Sequence, residues 1–135
     1  MQDSFKTGIT TTNRITVDRP RTIDVMGEEY RVYATPELVR DIERTCKGLI
    51  LDYADVNEDS VGTNVNIDHI APTLIGMSVN IIATVKEIDR RKVVFDISAE
   101  DDIEQMGRGT HTRFIIDTSK SGERLQAKIA KVKAL

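Results

Sequence analysis

One segment of the chain has the apolar spacing of an amphipathic helix. Across ATPELVRDIERTCKGLILDYAD, apolar side chains recur at steps of three and four, at Leu38, Ile42, Cys46, Leu49 and Tyr53. This single stripe predicts a helix over residues 36–53. Thr35 and Pro36 are typical of a helix start, because threonine is a good N-cap and proline needs no hydrogen-bond donor at the first helical position.

The rest of the chain mostly alternates apolar and polar residues, which is the pattern of β-strands. Residues 8–18, rich in Thr and Ile, form the first predicted strand, and residues 62–70 form the next one after the helix. A turn at 87–92 and a polar connection at 101–107 separate three further strands. Their alternating positions are Met77, Val79, Ile81, Ala83 and Val85; Val93, Phe95, Ile97 and Ala99; and Thr110, Thr112, Phe114 and Ile116, with Ile115 apolar on the opposite face.

The order of these elements predicts the fold class. One strand, one helix and four strands joined by short connections favour antiparallel pairing. The helix has to cover one face of the sheet, which gives an α+β domain. An antiparallel sheet wrapped around one long central helix is the hotdog fold. We expect residues 1–135 to form one such domain, with residues 1–7 and 120–135 peripheral. An unprotected sheet edge favours pairing with a second copy, so we also expect a homodimer.

Composition excludes several classes of protein. The net charge is −3 and the cations are scattered among acids, which argues against a general nucleic-acid binder. No apolar run approaches the ~20 residues that span a bilayer, and the N-terminus lacks a secretory signal. Two histidines and one cysteine provide too few ligands for a classical zinc site and no internal disulfide. We expect a cytoplasmic protein without a metal or a membrane partner.

A histidine interrupts the strand that follows the helix. In NVNIDHIAP, Val65 and Ile67 alternate with polar residues, and the next position on the apolar side is His69. Glu43 lies at the edge of the helical stripe, from where its carboxylate can turn towards the sheet. The two side chains are therefore expected to converge between helix and sheet. We expect partial burial there to perturb the pKa of the imidazole, which is common in catalytic sites.

Three segments carry a resemblance to a known family. ATPELVRDIERTC, VGTNVNIDHIAPTLIG and IEQMGRGTHTRFIID occur in the same order and with compatible spacing. Together they resemble the fluoroacetyl-CoA thioesterase-like family of hotdog proteins, over roughly residues 30–117. The resemblance implies a cytoplasmic acyl-CoA thioesterase that hydrolyses its substrate to a free acid and CoA. It implies no cofactor, since CoA is part of the substrate.

The family's functional residues all have counterparts in this chain. Its catalytic threonine, glutamate and histidine match Thr35, Glu43 and His69. Its glycine, whose backbone N–H faces the thioester carbonyl, matches Gly62, which Thr63 follows. The resemblance thus implies that Gly62 and Thr63 bind the substrate and stabilise the oxyanion. Glu43 would start the reaction either as a nucleophile or as a general base, with His69 as its acid–base partner.

Two features bear on the substrate. CoA needs basic contacts for its phosphates, and the candidates are five cations in two separate groups, Arg90, Arg91 and Lys92, and Lys120 and Arg124. The first three are better explained as a charged hairpin turn. The segment VMGEEYRVY, residues 25–33, departs from the apolar, phenylalanine-bearing gate of the fluoroacetate-specific member. We therefore expect a short or medium acyl group other than fluoroacetyl.

Other interpretations of the same residues stay open. A non-catalytic module that binds acyl-CoA or another small ligand is the main alternative, and a hotdog hydratase is a weaker one. Thr35 is also explained as a helix cap alone. Cys46 is expected to be a core residue, because no basic group is placed to activate its thiol. His111 is expected to have a structural role.

Overall fold

A computed structural model describes all 135 residues. It contains two α-helices and seven β-strands, with two single-turn 3-10 helices at Arg19–Arg21 and Glu28–Tyr30. The helices are α1 (Thr35–Tyr53) and α2 (Thr118–Lys133). The strands are β1 (Thr10–Thr16), β2 (Thr22–Ile23), β3 (Val32–Tyr33), β4 (Glu58–His69), β5 (Ser78–Asp89), β6 (Lys92–Asp101) and β7 (Gln105–Asp117).

The predicted wrapping of a sheet around one helix is confirmed. Five strands form an antiparallel sheet in the order β1-β5-β6-β7-β4, and β2 and β3 form a separate small ribbon. Helix α1 lies against the inner face of the large sheet and contacts four of its strands. Between them is a core of 18 buried apolar residues. The inward positions predicted in β5 from Val79 to Val85 and in β6 from Val93 to Ala99 are all in this core.

Helix α1 begins one residue earlier than the capping pattern predicts. The N-cap is Ala34, and Thr35 is the first helical residue, so the predicted capping role of Thr35 is wrong. No side chain caps this helix. Ala34 is fixed instead through its backbone, whose N–H donates to the Arg21 carbonyl at 2.9 Å. The Thr35 hydroxyl is therefore free for another partner.

The orientation of β7 differs from the alternation read in the sequence. Its inner face carries His111, Arg113 and Ile115, all buried, whereas Phe114 faces outwards and is 42% exposed. The strand also begins at Gln105, inside the predicted polar connection. The polar residues are tolerated inside because they hydrogen-bond to each other and to β4.

Strand β4 is an edge strand with a β-bulge. It pairs only with β7, and the register shifts between Gly62 and Asn64, which leaves Thr63 as the extra residue. Gly62 lies opposite Arg113 and His69 lies opposite Gly107. In a regular strand, Gly62 and His69 would face opposite sides, because they are an odd number of residues apart. The bulge puts both on the inner face.

The N-terminal segment is not peripheral as expected, whereas the C-terminal segment is a surface helix. Phe5 is only 9% exposed and packs on Tyr53, with ring centroids 5.4 Å apart. Residues 118–133 form α2, a helix that the sequence analysis did not predict, and none of its residues is buried. Its apolar residues Leu125 and Ile129 are more than half exposed. No helix of the protein is both long enough and apolar enough to cross a bilayer.

Candidate active site

A hydrogen bond joins the first residue of α1 to the last residue of β4. The Thr35 hydroxyl and Nδ1 of His69 are 2.8 Å apart. The other ring nitrogen, Nε2 of His69, is buried and has no hydrogen-bond partner. Burial lowers the pKa of His69 below its ordinary value, so the imidazole is neutral near neutral pH. A neutral ring held at one nitrogen leaves the other nitrogen available for proton transfer.

The Thr35–His69 pair lies at the wall of a largely apolar depression. The depression has a volume of about 420 Å³ and opens widely to solvent. Six of its nine lining residues are hydrophobic, including those of the small β2–β3 ribbon. Besides the pair, it is lined by Ile23, Val25, Val32, Tyr33, Ile70, Ala71 and Pro72. An apolar cavity of this size suits an acyl chain.

A buried ionic network supports the same wall. The Tyr33 ring packs edge-on to His69, with centroids 6.3 Å apart, and its hydroxyl hydrogen-bonds to Asp41. Arg21 donates to both carboxylate oxygens of Asp41, at 2.8 and 3.1 Å. Asp41 is 2% exposed, so this pairing satisfies a charge that burial alone would destabilise. Burial, together with the bond to Asp41, raises the pKa of the Tyr33 hydroxyl, which therefore stays protonated.

The sequence pattern does not predict this network, although Asp41 is an indication of it. Asp41 lies between Leu38 and Ile42 on the buried side of α1, where a charged residue is unusual. Such a residue needs a cation nearby, but its partner Arg21 comes from a segment without regular periodicity. The pairing therefore depends on tertiary structure.

Glu43 lies in a second depression further along α1. Its carboxylate oxygen Oε2 is 3.8 Å from a terminal nitrogen of Arg113. A Cβ atom placed on Gly62 would lie 3.2 Å from the same oxygen, so a side chain at this position would crowd the carboxylate. The depression has a volume of about 290 Å³ and is strongly basic around the single carboxylate. Its other lining residues are Pro36, Val39, Arg40, Arg44 and Lys47.

Arg113 is fixed in place by buried partners. Its side chain is 5% exposed and donates to the hydroxyl of Ser60 at 2.8 Å and to the Ser60 carbonyl at 2.9 Å. A terminal nitrogen lies 3.2 Å from Nε2 of His111, and Nδ1 of His111 lies 2.8 Å from the Asn64 carbonyl. Because arginine only donates, Nε2 accepts and Nδ1–H donates, so His111 is neutral. Burial lowers the pKa of both His111 and Arg113.

The single chain does not bring Glu43 and His69 into one cavity. Thr35 and His69 line the apolar depression, whereas Glu43 lines the basic one. The two depressions adjoin at the start of α1, where Thr35 lines one and Pro36 the other. Along α1, Thr35 and Glu43 are about 12 Å apart at ~1.5 Å per residue. Along β4, Gly62 and His69 are about 20 Å apart at ~3.3 Å per residue.

Comparison with known proteins decides the family. The family model described as fluoroacetyl-CoA-specific thioesterase matches residues 17–119. The chain belongs to this family. The family expected from the sequence is confirmed, and it is a family of thioester hydrolases.

Three relatives illustrate the similarity. A fluoroacetyl-CoA thioesterase from Streptantibioticus cattleyicolor is 27% identical over 135 residues, which cover 95% of this chain and 97% of that protein. A variant of the fluoroacetyl-CoA-specific thioesterase, solved with fluoroacetate and CoA, is 27% identical with a TM-score of 0.79, covering 86% of this chain and 98% of that one. A hypothetical protein of the thioesterase superfamily from Thermus thermophilus is 21% identical, with a TM-score of 0.88 and coverage of 99% and 100%. This last likeness shows the fold.

In this member of the thioesterase family, the predicted oxyanion position lies at the bulge of β4. The extra residue of a bulge is left out of the ladder, so the Thr63 amide is not needed by β7. The Thr63 hydroxyl is 3.4 Å from the Thr112 carbonyl and points along the strand pair. A backbone N–H beside Gly62 that lies outside the regular ladder is the kind of donor that stabilises an oxyanion.

Two further residues of this thioesterase-family chain have the roles expected of them. Cys46 is fully buried in the core, and burial raises the pKa of its thiol to about 12, so it is not a nucleophile. His111 is fully buried within the Arg113 network. No three side chains of His, Cys, Asp or Glu lie close enough together to share a metal ion.

Proposed function

We propose that the protein hydrolyses an acyl-CoA thioester to a free acid and CoA. The observation that carries this proposal is the Thr35–His69 pair, which lines an apolar depression and in which the buried Nε2 of His69 has no hydrogen-bond partner. Membership in a family of thioester hydrolases supports the same conclusion. A relative that was solved with fluoroacetate and CoA supports the class of substrate.

Glu43 and His69 divide the chemistry between them. Glu43 either attacks the thioester carbonyl, forming an anhydride that water later cleaves, or removes a proton from a water that attacks instead. In both routes the C–S bond breaks and the leaving thiolate takes up one proton. His69 handles this proton at Nε2, which accepts a proton when Nδ1–H donates to Thr35 and donates one in the other tautomer.

The donors for the oxyanion come from the bulge. As the carbonyl carbon becomes tetrahedral, its oxygen gains negative charge that aligned N–H groups stabilise. We assign this role to the backbone at Gly62 and Thr63. Gly62 is suited to it because it has no Cβ, and a Cβ would lie 3.1 Å from a His111 ring carbon and 3.2 Å from Glu43.

The acyl group that fits this protein is short or medium in length. The apolar depression is wider than a two-carbon acyl group requires, and Ile23 and Val25 extend its wall. The charged residues near this wall do not enter it, since Arg31 pairs with Glu28 at 3.0 Å at the surface. A fluoroacetyl group is therefore not the substrate that we propose.

The active site that we propose is completed by a second copy of the chain. β4 is an edge strand of 12 residues with apolar side chains such as Val65 exposed, which favours pairing with the same strand of a partner. Antiparallel pairing about a two-fold axis near residues 65–66 places Gly62 of one protomer beside His69 of the other. Glu43 is next to Gly62 in the same protomer. Each site therefore combines Glu43 of one protomer with Thr35 and His69 of its partner.

The decisive experiment is thiol release from a panel of acyl-CoA substrates from acetyl-CoA to octanoyl-CoA. We expect turnover on at least one of them, and we expect Glu43→Gln and His69→Ala each to lower kcat/KM at least about 100-fold. Glu104→Gln, on the exposed β6–β7 connection, is the control and retains full activity. Saturable ligand binding without thiol release would indicate a non-catalytic binding module, and full activity of both site variants would exclude this site.

A further inference from the structure

The fold brings two groups of cations into one surface pocket. A depression of about 220 Å³ between the end of β7 and the first turns of α2 is lined by Arg91, Phe114, Lys120 and Arg124, among others. An adjoining depression of about 530 Å³ at the β5–β6 turn is lined by Arg90 and Lys92 and shares Arg91 and Phe114 with the first. The two groups of cations are 28 positions apart in sequence, from Lys92 to Lys120. We call the joint depression the basic pocket.

The positive charge of the basic pocket has no internal partner. None of its five cations makes a salt bridge, although most other arginines of the chain do. Two carboxylates line it, Asp89 and Asp117. Asp117 is occupied as the N-cap of α2, accepting from the amides of Ser119 and Lys120 at 3.0 and 3.2 Å. In a chain of net charge −3, such a concentration of free cations favours an anionic ligand.

An aromatic ring lies between the cations. Phe114 is on the outer face of β7, is 42% exposed, and lines both parts of the basic pocket. Guanidinium and ammonium groups bind phosphates, and an exposed aromatic ring stacks on a nucleobase. The combination therefore suits a phosphorylated nucleoside better than a simple anion.

We propose that the basic pocket binds the phosphorylated adenosine of the CoA substrate. Arg91, Lys120 and Arg124 contact its phosphates, and the Phe114 ring packs against the adenine. This assignment rests on the proposed acyl-CoA thioesterase function.

The position of the pocket agrees with a path to the thioester site. Phe114 follows Arg113, and successive side chains of a strand face opposite sides, so the nucleotide lies outside the sheet and Glu43 inside it. Val61 is paired with Phe114 on the edge strand. In the two-fold pairing proposed above, the partner strand ends at its His69 beside Gly62. The edge at Val61 therefore stays open, and the long arm of CoA passes around it to the inner face.

A binding experiment tests the pocket without turnover. Adenosine 3′,5′-bisphosphate is titrated into the protein by calorimetry, with inorganic phosphate as a separate arm. We expect the double variant Lys120→Gln/Arg124→Gln to bind the bisphosphate at least about tenfold more weakly. The matched control Lys128→Gln/Lys131→Gln removes the same charge further along α2 and binds normally. Phe114→Leu weakens bisphosphate binding and leaves phosphate binding unchanged.

Kinetics with two substrates provide a second readout. Acyl-pantetheine lacks the nucleotide, so the double variant should lower kcat/KM for acyl-CoA about tenfold and leave that for acyl-pantetheine unchanged. Bisphosphate binding in a protein without thioesterase activity would keep the pocket and remove the proposed function. Equal binding by wild type and double variant, or phosphate binding as tight as bisphosphate binding, would overturn the assignment of the pocket.

Discussion

At the scale of single residues, the site depends on polar groups in positions that usually hold aliphatic side chains. His69 continues the inward face of β4 because Thr35 satisfies one of its ring nitrogens. Arg113 and His111 occupy inward positions of β7 because each satisfies the other. A buried polar group is destabilising unless it is paired, so each of these residues requires its partner.

The Thr35–His69 hydrogen bond can be tested by a pair of substitutions. Thr35→Val removes the hydroxyl at nearly constant volume, and we expect kcat to fall by about fivefold to tenfold, the effect of one hydrogen bond worth ~1 kcal/mol. Thr35→Ser keeps the hydroxyl and should retain most of the activity. Steady-state thiol release measures both. Full activity of Thr35→Val would show that the hydrogen bond does not contribute to the reaction.

The neutral histidines predict a pH dependence of stability. Burial lowers the pKa of His69 and His111 in the folded state, whereas in the unfolded chain they titrate near the ordinary value of 6.5. The unfolded state therefore binds more protons below pH 6.5, so the free energy of unfolding falls as the pH drops through this range. Urea denaturation between about pH 7.5 and 5.5 measures it. His111→Gln should flatten this dependence, and an unchanged slope would assign it to other groups.

Part of the candidate site is visible in the sequence. His69 and Glu43 are visible as exceptions to the apolar patterns of β4 and α1, and the family resemblance adds Thr35 and Gly62. The burial of Arg113 is not visible in the sequence. Both faces of β7 carry polar residues, so the alternation alone does not determine which face packs against the core. Its burial depends on Ser60, whose contact with Arg113 bridges residues far apart in sequence.

At the scale of elements, the sequence predicted the strands with continuous apolar alternation and missed the features that depend on backbone geometry. β5 and β6 agree with expectation because apolar residues, namely Val, Ile, Phe and Ala, occupy every inward position from Val79 to Val85 and from Val93 to Ala99. The bulge of β4 and the helix α2 were not predicted. A bulge has no apolar pattern in the sequence, and α2 buries none of its apolar residues. The pairing of β4 with β7 is also constrained at one glycine.

Gly109 tests that constraint. Its φ is +149°, and a Cβ at this position would lie 1.9 Å from the Asn66 carbonyl oxygen on β4. We expect Gly109→Ala to lower the free energy of unfolding by more than about 2 kcal/mol, because the strand backbones have to separate. The matched control is Gly48→Ala in the middle of α1, where nothing lies within 4 Å. It should raise stability by about 0.5–1 kcal/mol. Similar midpoints in urea for the two variants would contradict the prediction.

At the scale of the whole molecule, the exposed edge of β4 is the main surface that has no partner within the chain. The chain separates Glu43 from the Thr35–His69 pair, and the proposed pairing of two β4 strands would bring them together. A protein whose catalytic groups come from two protomers has to assemble before it can react. Activity and association are then parts of one equilibrium.

Mixing two inactive variants tests this shared site. In a composite dimer, a protomer with Glu43→Gln and a partner with His69→Ala form one site that carries both changes and one intact site. Refolding the two variants together should therefore restore about a quarter of wild-type activity, since half of the dimers are mixed. A mixture that stays inactive would place all catalytic groups in one chain.

Sedimentation provides the control for assembly. We expect the wild type to sediment at about twice 15.1 kDa. Val65→Lys on the β4 edge should weaken the dimer, whereas Val56→Lys, at a residue that is 87% exposed outside the strands, should not. A wild-type species of 15.1 kDa at micromolar concentration would exclude the dimer.

Because β4 contains one extra residue, deletion of that residue can test folding separately from catalysis. If Thr63 were deleted, Gly62 and Asn64 would pair with Arg113 and Thr112 in an uninterrupted ladder, and His69 would still face inwards. Such a chain should fold at least as well, because it loses only an irregularity. What disappears is the backbone amide of the extra residue beside Gly62. An inactive but well-folded deletion variant would show that this enzyme tolerates an imperfect strand for the sake of its reaction.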